Sequence, residues 1–308
     1  MHPMNNIVKM LAVTGMALLS FLLSCGKTSV TVDEDTYDPK IVVQGLLHPG
    51  KPIQRVYINR NFPVNQTIDR EHIPLENARA SVTDLTSGAS EILQYEADSA
   101  YYKGQTMVIQ HEHTYRLQVE ATVEDQLLTT QSTTTIPARG FAIDAAQSCK
   151  GDIIYRQPNA DGRIRKPCIV YQRSRGVELY VLSIVALDAD SSTFIRNNPY
   201  GIDLKFVSEN FEAFKFEEVW SPNEPQTPGI SRLEIPWLDI WFYGRYRAIL
   251  YAADRNFYEF FATHDNVQDF DGNLREPYFN FEGDGIGVFG SAITDTIHFN
   301  IVSGTQRP

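Results

Sequence analysis

TYRLQVEA, residues 114–121, alternates without interruption: Tyr115, Leu117, Val119 and Ala121 on one side, Arg116, Gln118 and Glu120 on the other. Successive side chains of an extended chain point to opposite faces, so a period of two marks a strand with one face in a core and one in water. Half-buried strands of this kind belong to antiparallel sheets. Glu124-Asp125-Gln126 then turns the chain into LLTTQSTTT (127–135), rich in β-branched residues that suit a pleated surface.

Upstream the same period recurs. IVVQGLL (41–47) and IQRVYINRNF (53–62) flank a turn at His48-Pro49-Gly50, and ARASV (78–82) sets Ala78, Ala80 and Val82 on one face. Short strands at close spacing, with no helical period between them, predict an immunoglobulin- or transthyretin-like sandwich over residues 40–137. Ile136-Pro137 ends it, because proline cannot continue a ladder.

Residues 138–308 form a larger, β-rich second domain, an antiparallel sandwich or barrel-like body with one short helix. VELYVLSIVALDA (177–189) is apolar on both faces and reads as a central strand. YGRYRAILYAA (243–253) reads as another. SPNEPQTPG (221–229) is a loop, and the mixed pattern around Phe211, Phe214 and Phe216 assigns no element. At DRNFYEFFATHDN (254–266) the period changes: Phe257, Phe260, Phe261 and His264 fall at i, i+3, i+4 and i+7, with Asp254 placed to cap a helix.

The N-terminus answers a different question, where the protein resides. Met10 to Leu23 is an uncharged run of 14 residues behind Lys9, shorter than the roughly 20 residues a spanning helix needs. A basic start followed by a short apolar stretch is a secretory signal. Its end, Leu22-Leu23-Ser24-Cys25, resembles the lipobox of bacterial lipoproteins. That resemblance implies cleavage of residues 1–24, acylation of Cys25 as the first mature residue, and a lipid anchor in the membrane. Thiolate nucleophilicity suits cysteine to this alkylation, and two or more acyl chains hold firmly where one does not. Residues 25–39, with acids at Asp33-Glu34-Asp35, read as a flexible tether.

The full chain carries a formal net charge of −11, and removing residues 1–24, which hold Lys9 and no acid, makes it one unit more negative. Such a chain is not a nucleic-acid binder, which needs a basic face. A hydrophobic content of 43% excludes wholesale disorder. Two mature cysteines remain besides Cys25. Cys149 and Cys168 bracket a turn at Asn159-Ala160-Asp161-Gly162, and a hairpin there would bring them together as a disulfide stabilising by about 3 kcal/mol. Two separate buried thiols are the alternative.

PYFNFEGDGIGVFGSAITDTIHFNI (277–301) is the most distinctive stretch. Gly283, Gly285, Gly287 and Gly290 alternate with apolar residues, as in a strand that bulges or meets another backbone closely. It is no phosphate loop, since neither a helix nor a Lys-Ser/Thr pair follows. This ending, the helix at Phe257-Tyr258-Glu259-Phe260-Phe261, the first strand, and Thr114-Tyr115-Arg116-Leu117 together resemble a Bacteroidota lipoprotein family, domain of unknown function number four thousand two hundred and forty-nine. The resemblance implies an outer-membrane lipoprotein associated with TonB-dependent uptake receptors, with no catalytic residues to carry over. Here Gly26-Lys27-Thr28-Ser29 follows the cysteine and the acids begin only at Asp33, which leaves the periplasmic and cell-surface faces both open.

Other candidate chemistry is thin. His111-Glu112-His113 could share a face as metal ligands, yet it lies at a strand entrance and lacks a third ligand. Asp269-Phe270-Asp271-Gly272-Asn273 departs from a calcium loop by placing its glycine fourth, with Glu276 eighth. Ser291 follows Gly290 but sits within a strand pattern, not a nucleophile elbow. No cofactor, metal site or enzymatic activity is expected. Trp237-Leu238-Asp239-Ile240-Trp241-Phe242-Tyr243 is the densest aromatic run, more often core than platform. If exposed, Trp237 and Trp241 would share a strand face and could stack on a sugar or peptide side chain. Asp98-Ser99-Ala100 and Asp295-Thr296-Ile297 resemble a three-residue O-glycosylation signal of these bacteria.

Replacing the thiol tests the anchor directly. Cys25→Ser should leave an unacylated precursor by intact-mass measurement, and it should move the protein from the sedimenting membrane fraction to the supernatant. Normal maturation and sedimentation of the variant would overturn the lipoprotein reading.

Overall fold

In a computed structural model of the chain, residues 37–63, 67–68, 72–201, 203–205, 215–222, 228–264 and 277–304 are described. The signal segment, Cys25, most of the tether, Phe211 and Phe214, and the segment 269–276 considered for calcium lie outside them. By contacts the chain divides into residues 1–38 with 63–66, and residues 39–62 with 67–308. Almost all of the described residues belong to the second unit, and the account below concerns it.

This unit is mostly β. Its first half contributes β1 (Ile41–Leu47), β2 (Val56–Arg60), β3 (Arg79–Asp84), β4 (Ser90–Ile92), β5 (Gln94–Glu96), β6 (Tyr101–Lys103), β7 (Thr114–Val123) and β8 (Gln126–Thr135). Its second half contributes β9 (Ala142–Ile143), β10 (Gly151–Ile154), β11 (Cys168–Gln172), β12 (Leu179–Ala186), β13 (Lys215–Trp220), β14 (Ile230–Glu234) and β15 (Gly244–Ala253). The helix α1 (Arg255–His264), β16 (Glu282–Gly283) and β17 (Gly285–Val302) complete it. The alternation that opens the sequence holds: Tyr115, Leu117, Val119, Ala121 and Val123 are buried, and β7 pairs antiparallel with β3 and β8.

One long sheet, ordered β13-β12-β15-β17-β1-β2-β6-β5, runs through the unit, with β10 added alongside β17. Two smaller sheets back it. The five-stranded sheet β16-β8-β7-β3-β4 and the β1-β2-β6 end of the long sheet enclose one core, from Ile41 to Ile136 plus Phe289. The three-stranded sheet β14-β11-β9 and the β12-β15-β17 end enclose the other, from Phe141 to Ile301. The architecture is two sandwiches sharing a sheet, and a linear split after Pro137 is crossed by the last strand.

β17 makes that crossing. Gly285 to Ser291 pair parallel with Ile41 to Leu47, and Ala292 to Ile301 pair antiparallel with Ala253 back to Gly244. The glycines permit the first pairing. Gly287 has φ +107°, and a Cβ there would lie 2.1 Å from the Val43 carbonyl oxygen. Gly290 makes room for the helix: a Cβ would come within 3.0 Å of Asp254 Oδ1 and of Phe257 Cβ and N.

The helix packs on the long sheet's other face, over Val181, Ala253 and Val288. This explains why β12 is apolar on both sides. Asp254 caps the helix by accepting the Phe257 N–H at 3.0 Å, and the same oxygen accepts the Ser291 N–H at 3.0 Å. Asn256 donates to the Thr133 and Phe289 carbonyls at 2.8 and 2.9 Å, so α1, β8 and β17 are joined at one node.

The protons of that node can be counted. Thr134 Oγ1 lies 2.7 Å from Asp254 Oδ2 and 2.9 Å from Ser291 Oγ, which lies 3.1 Å from the Thr135 carbonyl. A carbonyl only accepts, so Ser291 donates to it and accepts from Thr134. Thr134 carries a single hydroxyl proton, which its bonds to the Asp254 carboxylate and to Ser291 Oγ share. Burial pushes Asp254 up to about 6, against the hydrogen bonds it receives from Ser291, Thr134, Phe257 and Asn256.

Three substitutions test this part of the fold. Gly287→Ala places a side chain against the Val43 backbone at a positive φ, and chemical denaturation should show a loss on the order of 3 kcal/mol. Gly50→Ala, with open space around it, should lose about 1 kcal/mol. For Asp254 the folded value lies above the ordinary carboxylate value, so the folded state holds the proton more tightly. The group's contribution is greatest below about pH 4 and falls as pH rises through about 6, by roughly 3 kcal/mol in total. Asp254→Asn, which carries no titrating proton, should remove this slope when unfolding is measured from pH 4 to 8.

Candidate functional site

The aromatic run is not a platform. Trp237–Asp239 forms a 3-10 turn in place of a strand, and Trp237 is 4% exposed, with Nε1 donating to the Arg165 carbonyl at 3.2 Å and its ring edge-on to Tyr155. Ile240 and Phe242 are buried with it, while Trp241 is half-buried against the same core and bonds the Leu238 carbonyl. Pro236 starts the turn and breaks the period of two. The two tryptophans therefore do not stand together on an exposed strand face.

Cys149 and Cys168, the expected disulfide partners, lie side by side, each a free thiol in this structure. The Cys149 N–H donates to the Cys168 carbonyl at 2.8 Å and the sulfurs lie 3.2 Å apart, against about 2.05 Å for a bond. Burial, then the neighbouring Cys149, pushes the Cys168 thiol up to about 11. The turn between them is present: the Asn159 side chain accepts the Asp161 and Arg163 N–H groups.

The histidine pair is also committed to the fold. His111 Nδ1 lies 2.9 Å from the Pro137 carbonyl, and His113 Nδ1 lies 2.8 Å from Asp84 Oδ2. Among the described residues, no group of three His, Cys, Asp or Glu side chains is placed to hold a metal ion. Burial raises the Asp84 carboxyl, but hydrogen bonds from Ser87 and His113 outweigh it and hold the value below the usual range. Asp188, gripped by the Arg245 guanidinium, is lowered to about 2. Ser99 is exposed on a turn. Thr296 lies in β17, where the neighbouring Asp295 accepts the Ile143 N–H.

The site with the chemistry of a binding pocket lies beneath α1. On β1 the residues that face away from the core are Val42, Gln44 and Leu46, followed by His48 past the strand end. Gln44, Leu46 and His48, with Gln54, Arg55 and Tyr57, form one wall. Phe257, Phe260 and Phe261 of the helix and Tyr251 and Val288 of the sheet form the other. They enclose about 380 Å³, within the range of small-molecule sites, which pair an apolar lining with a few convergent polar groups. Of two larger hollows, the one of about 510 Å³ is lined chiefly by polar groups, and the one of about 620 Å³ mixes charged side chains with Ile136, Pro137, Val177 and Leu179.

The wall residues are held in place. Phe257 and Phe261 pack edge to face at 4.7 Å, and the Phe260 ring stacks on His264 at 4.9 Å, both consequences of the i, i+4 spacing. His48 Nδ1 lies 3.1 Å from the Ala292 carbonyl. Because that carbonyl only accepts, Nδ1 carries the proton and Nε2 is the acceptor. Burial lowers the His48 value, with Lys51 adding to it against the Ala292 bond, so the ring is neutral at neutral pH. Sequence reasoning found the helix and its phenylalanines but not the pocket. The one available signal was the polar Gln44 within the otherwise apolar IVVQGLL.

Several solved structures are similar to the chain at low identity. A two-domain fibronectin type-III segment of chicken tenascin is 12% identical, with 70% of this chain and 90% of that one covered and a TM-score of 0.18. A bacterial ice-binding adhesin is 9% identical, with 88% and 67% covered and a TM-score of 0.20. A mutant Salmonella alpha-2-macroglobulin is 13% identical, with 91% of this chain but 15% of that one covered and a TM-score of 0.23. No curated protein matches the chain. The model described as Domain of unknown function (DUF4249) matches residues 27–297, and the chain belongs to that family.

Proposed function

We propose that this protein is a lipid-anchored outer-membrane lipoprotein of a Bacteroidota bacterium, acylated at Cys25. It works as a non-enzymatic accessory or ligand-binding partner of a TonB-dependent uptake receptor. The observation that carries the reading is the boundary at Cys25, where an apolar run too short to span a bilayer meets Gly-Lys. An acidic chain gains little from anionic lipid, so acyl groups supply the attachment.

The ligand-binding half is supported by the cavity beneath α1. The non-enzymatic half is supported by the uses its titratable groups already have: Asp254 caps a helix, Asp188 grips Arg245, and Asp84 orients His113. A second reading, a structural or envelope-assembly lipoprotein without a small ligand, is favoured by the burial of Trp237, Ile240 and Phe242. The cavity weighs against it.

Full-length tagged protein extracted in mild detergent from its native outer membranes should bring with it a β-barrel receptor as the major companion. Acylated protein that elutes alone at the same detergent concentration would overturn the receptor assignment.

A further inference from the structure

We propose that the cavity beneath α1 takes a small amphipathic anion, one carboxylate on an apolar, preferably aromatic, body. This rests on the ligand-binding reading above and narrows it. The first support is charge. Acids outnumber bases 38 to 27 in the chain, yet among the described residues those lining this cavity include Arg55 and no acid. The two larger hollows mix signs, Arg79 facing Glu120 and Glu282 in one, and Arg175 and Arg255 lying with Glu112 and Asp254 in the other.

The second support is the state of Arg55. Among the described residues some arginines lie against an acid, as Arg60 and Arg245 do, while others, Arg79, Arg163 and Arg247 among them, have no ion pair. Arg55 is exposed at the cavity wall, and among the described residues no ion pair engages it. A guanidinium presents a planar fork that matches a carboxylate in a bidentate pair. The neutral His48 adds no second positive charge, which suits a monoanion better than a dianion.

The third support is polarity across the cavity. Gln44, Gln54 and Arg55 stand on the β1–β2 side, and the other side is three phenylalanine rings with Val288 and Tyr251. Polar groups are thus concentrated on one side, which fits a polar head on an apolar body and not a sugar with hydroxyls around its rim. About 380 Å³, near the small end for ligand sites, fits a single ring with a short acid arm.

The mature protein is titrated with 4-fluorophenylacetate, with its neutral analogue 2-(4-fluorophenyl)ethanol, and with glucose, followed by ¹⁹F NMR for the fluorinated pair and calorimetry for all three. The acid should bind more tightly than the alcohol. Arg55→Gln should lower its affinity about tenfold or more, to the level of the alcohol, and Phe260→Ala should weaken both. Thermal melts of the variants check folding, which the exposed Arg55 does not support. Equal binding of acid and alcohol, or an Arg55→Gln variant that binds the acid normally, overturns the anion assignment and leaves a ligand cavity. Binding of glucose alone overturns the ligand class. Binding of none of the three overturns the proposal, and receptor co-purification then decides separately whether the accessory role stands.

Discussion

Backbone pairing along β17 is the constraint on which the described structure depends. Its first seven residues complete the ladder of β1 and its next ten complete that of β15, so two cores are built on one sheet. Buried backbone N–H and C=O groups must find partners, and in the middle of a sheet only neighbouring strands provide them. β1 and β17 are parallel, and parallel neighbours need a crossover. Here the crossover is nearly the whole intervening chain, from His48 to Asp284. Such closure is slow to find, because non-local pairing is delayed by loop entropy, but its thermodynamic cost grows only with the logarithm of loop length.

The glycines of GIGVFGS are best understood through this strand. Gly287 lets the β17 backbone approach Val43, and Gly290 lets the first turn of α1 settle on the sheet. Phe289 between them points into the N-terminal core, while Val288 points to the helix side. One short segment therefore serves the first sandwich, the second sandwich and the helix. The Asp254 node has the same character, with Ser291, Thr134 and Asn256 drawing β17, β8 and α1 together through side-chain bonds.

The cavity is a consequence of that arrangement. Its polar wall comes from the turn after β1 and the start of β2, and its apolar wall from α1. The ladder between β1 and β17 sets the distance between the walls. The helix cap orients Phe257, the first of the three rings, and the Ala292 carbonyl on β17 orients His48. A binding site of this kind needs no catalytic constellation. It needs two elements remote in sequence to be held rigidly side by side.

The local features were legible from residue order. The alternation of TYRLQVEA placed its faces, the apolar character of LYVLSIVA announced burial on both sides, and the spacing of Phe257, Phe260 and Phe261 behind Asp254 specified a capped helix. The turn at Asn159 to Gly162 was equally plain, since an Asn side chain bonds its own backbone two residues on. Each depends on interactions within a few residues, which periodicity and turn chemistry encode directly. A period of two says which face of a strand is apolar, but not which strand will lie beside it. The parallel partnership of β1 with β17, the sharing of one sheet by two cores, the burial of Trp237 in a turn and the cavity beneath α1 were decided by tertiary structure, because each arises where distant segments compete for the same backbone hydrogen bonds and the same core volume.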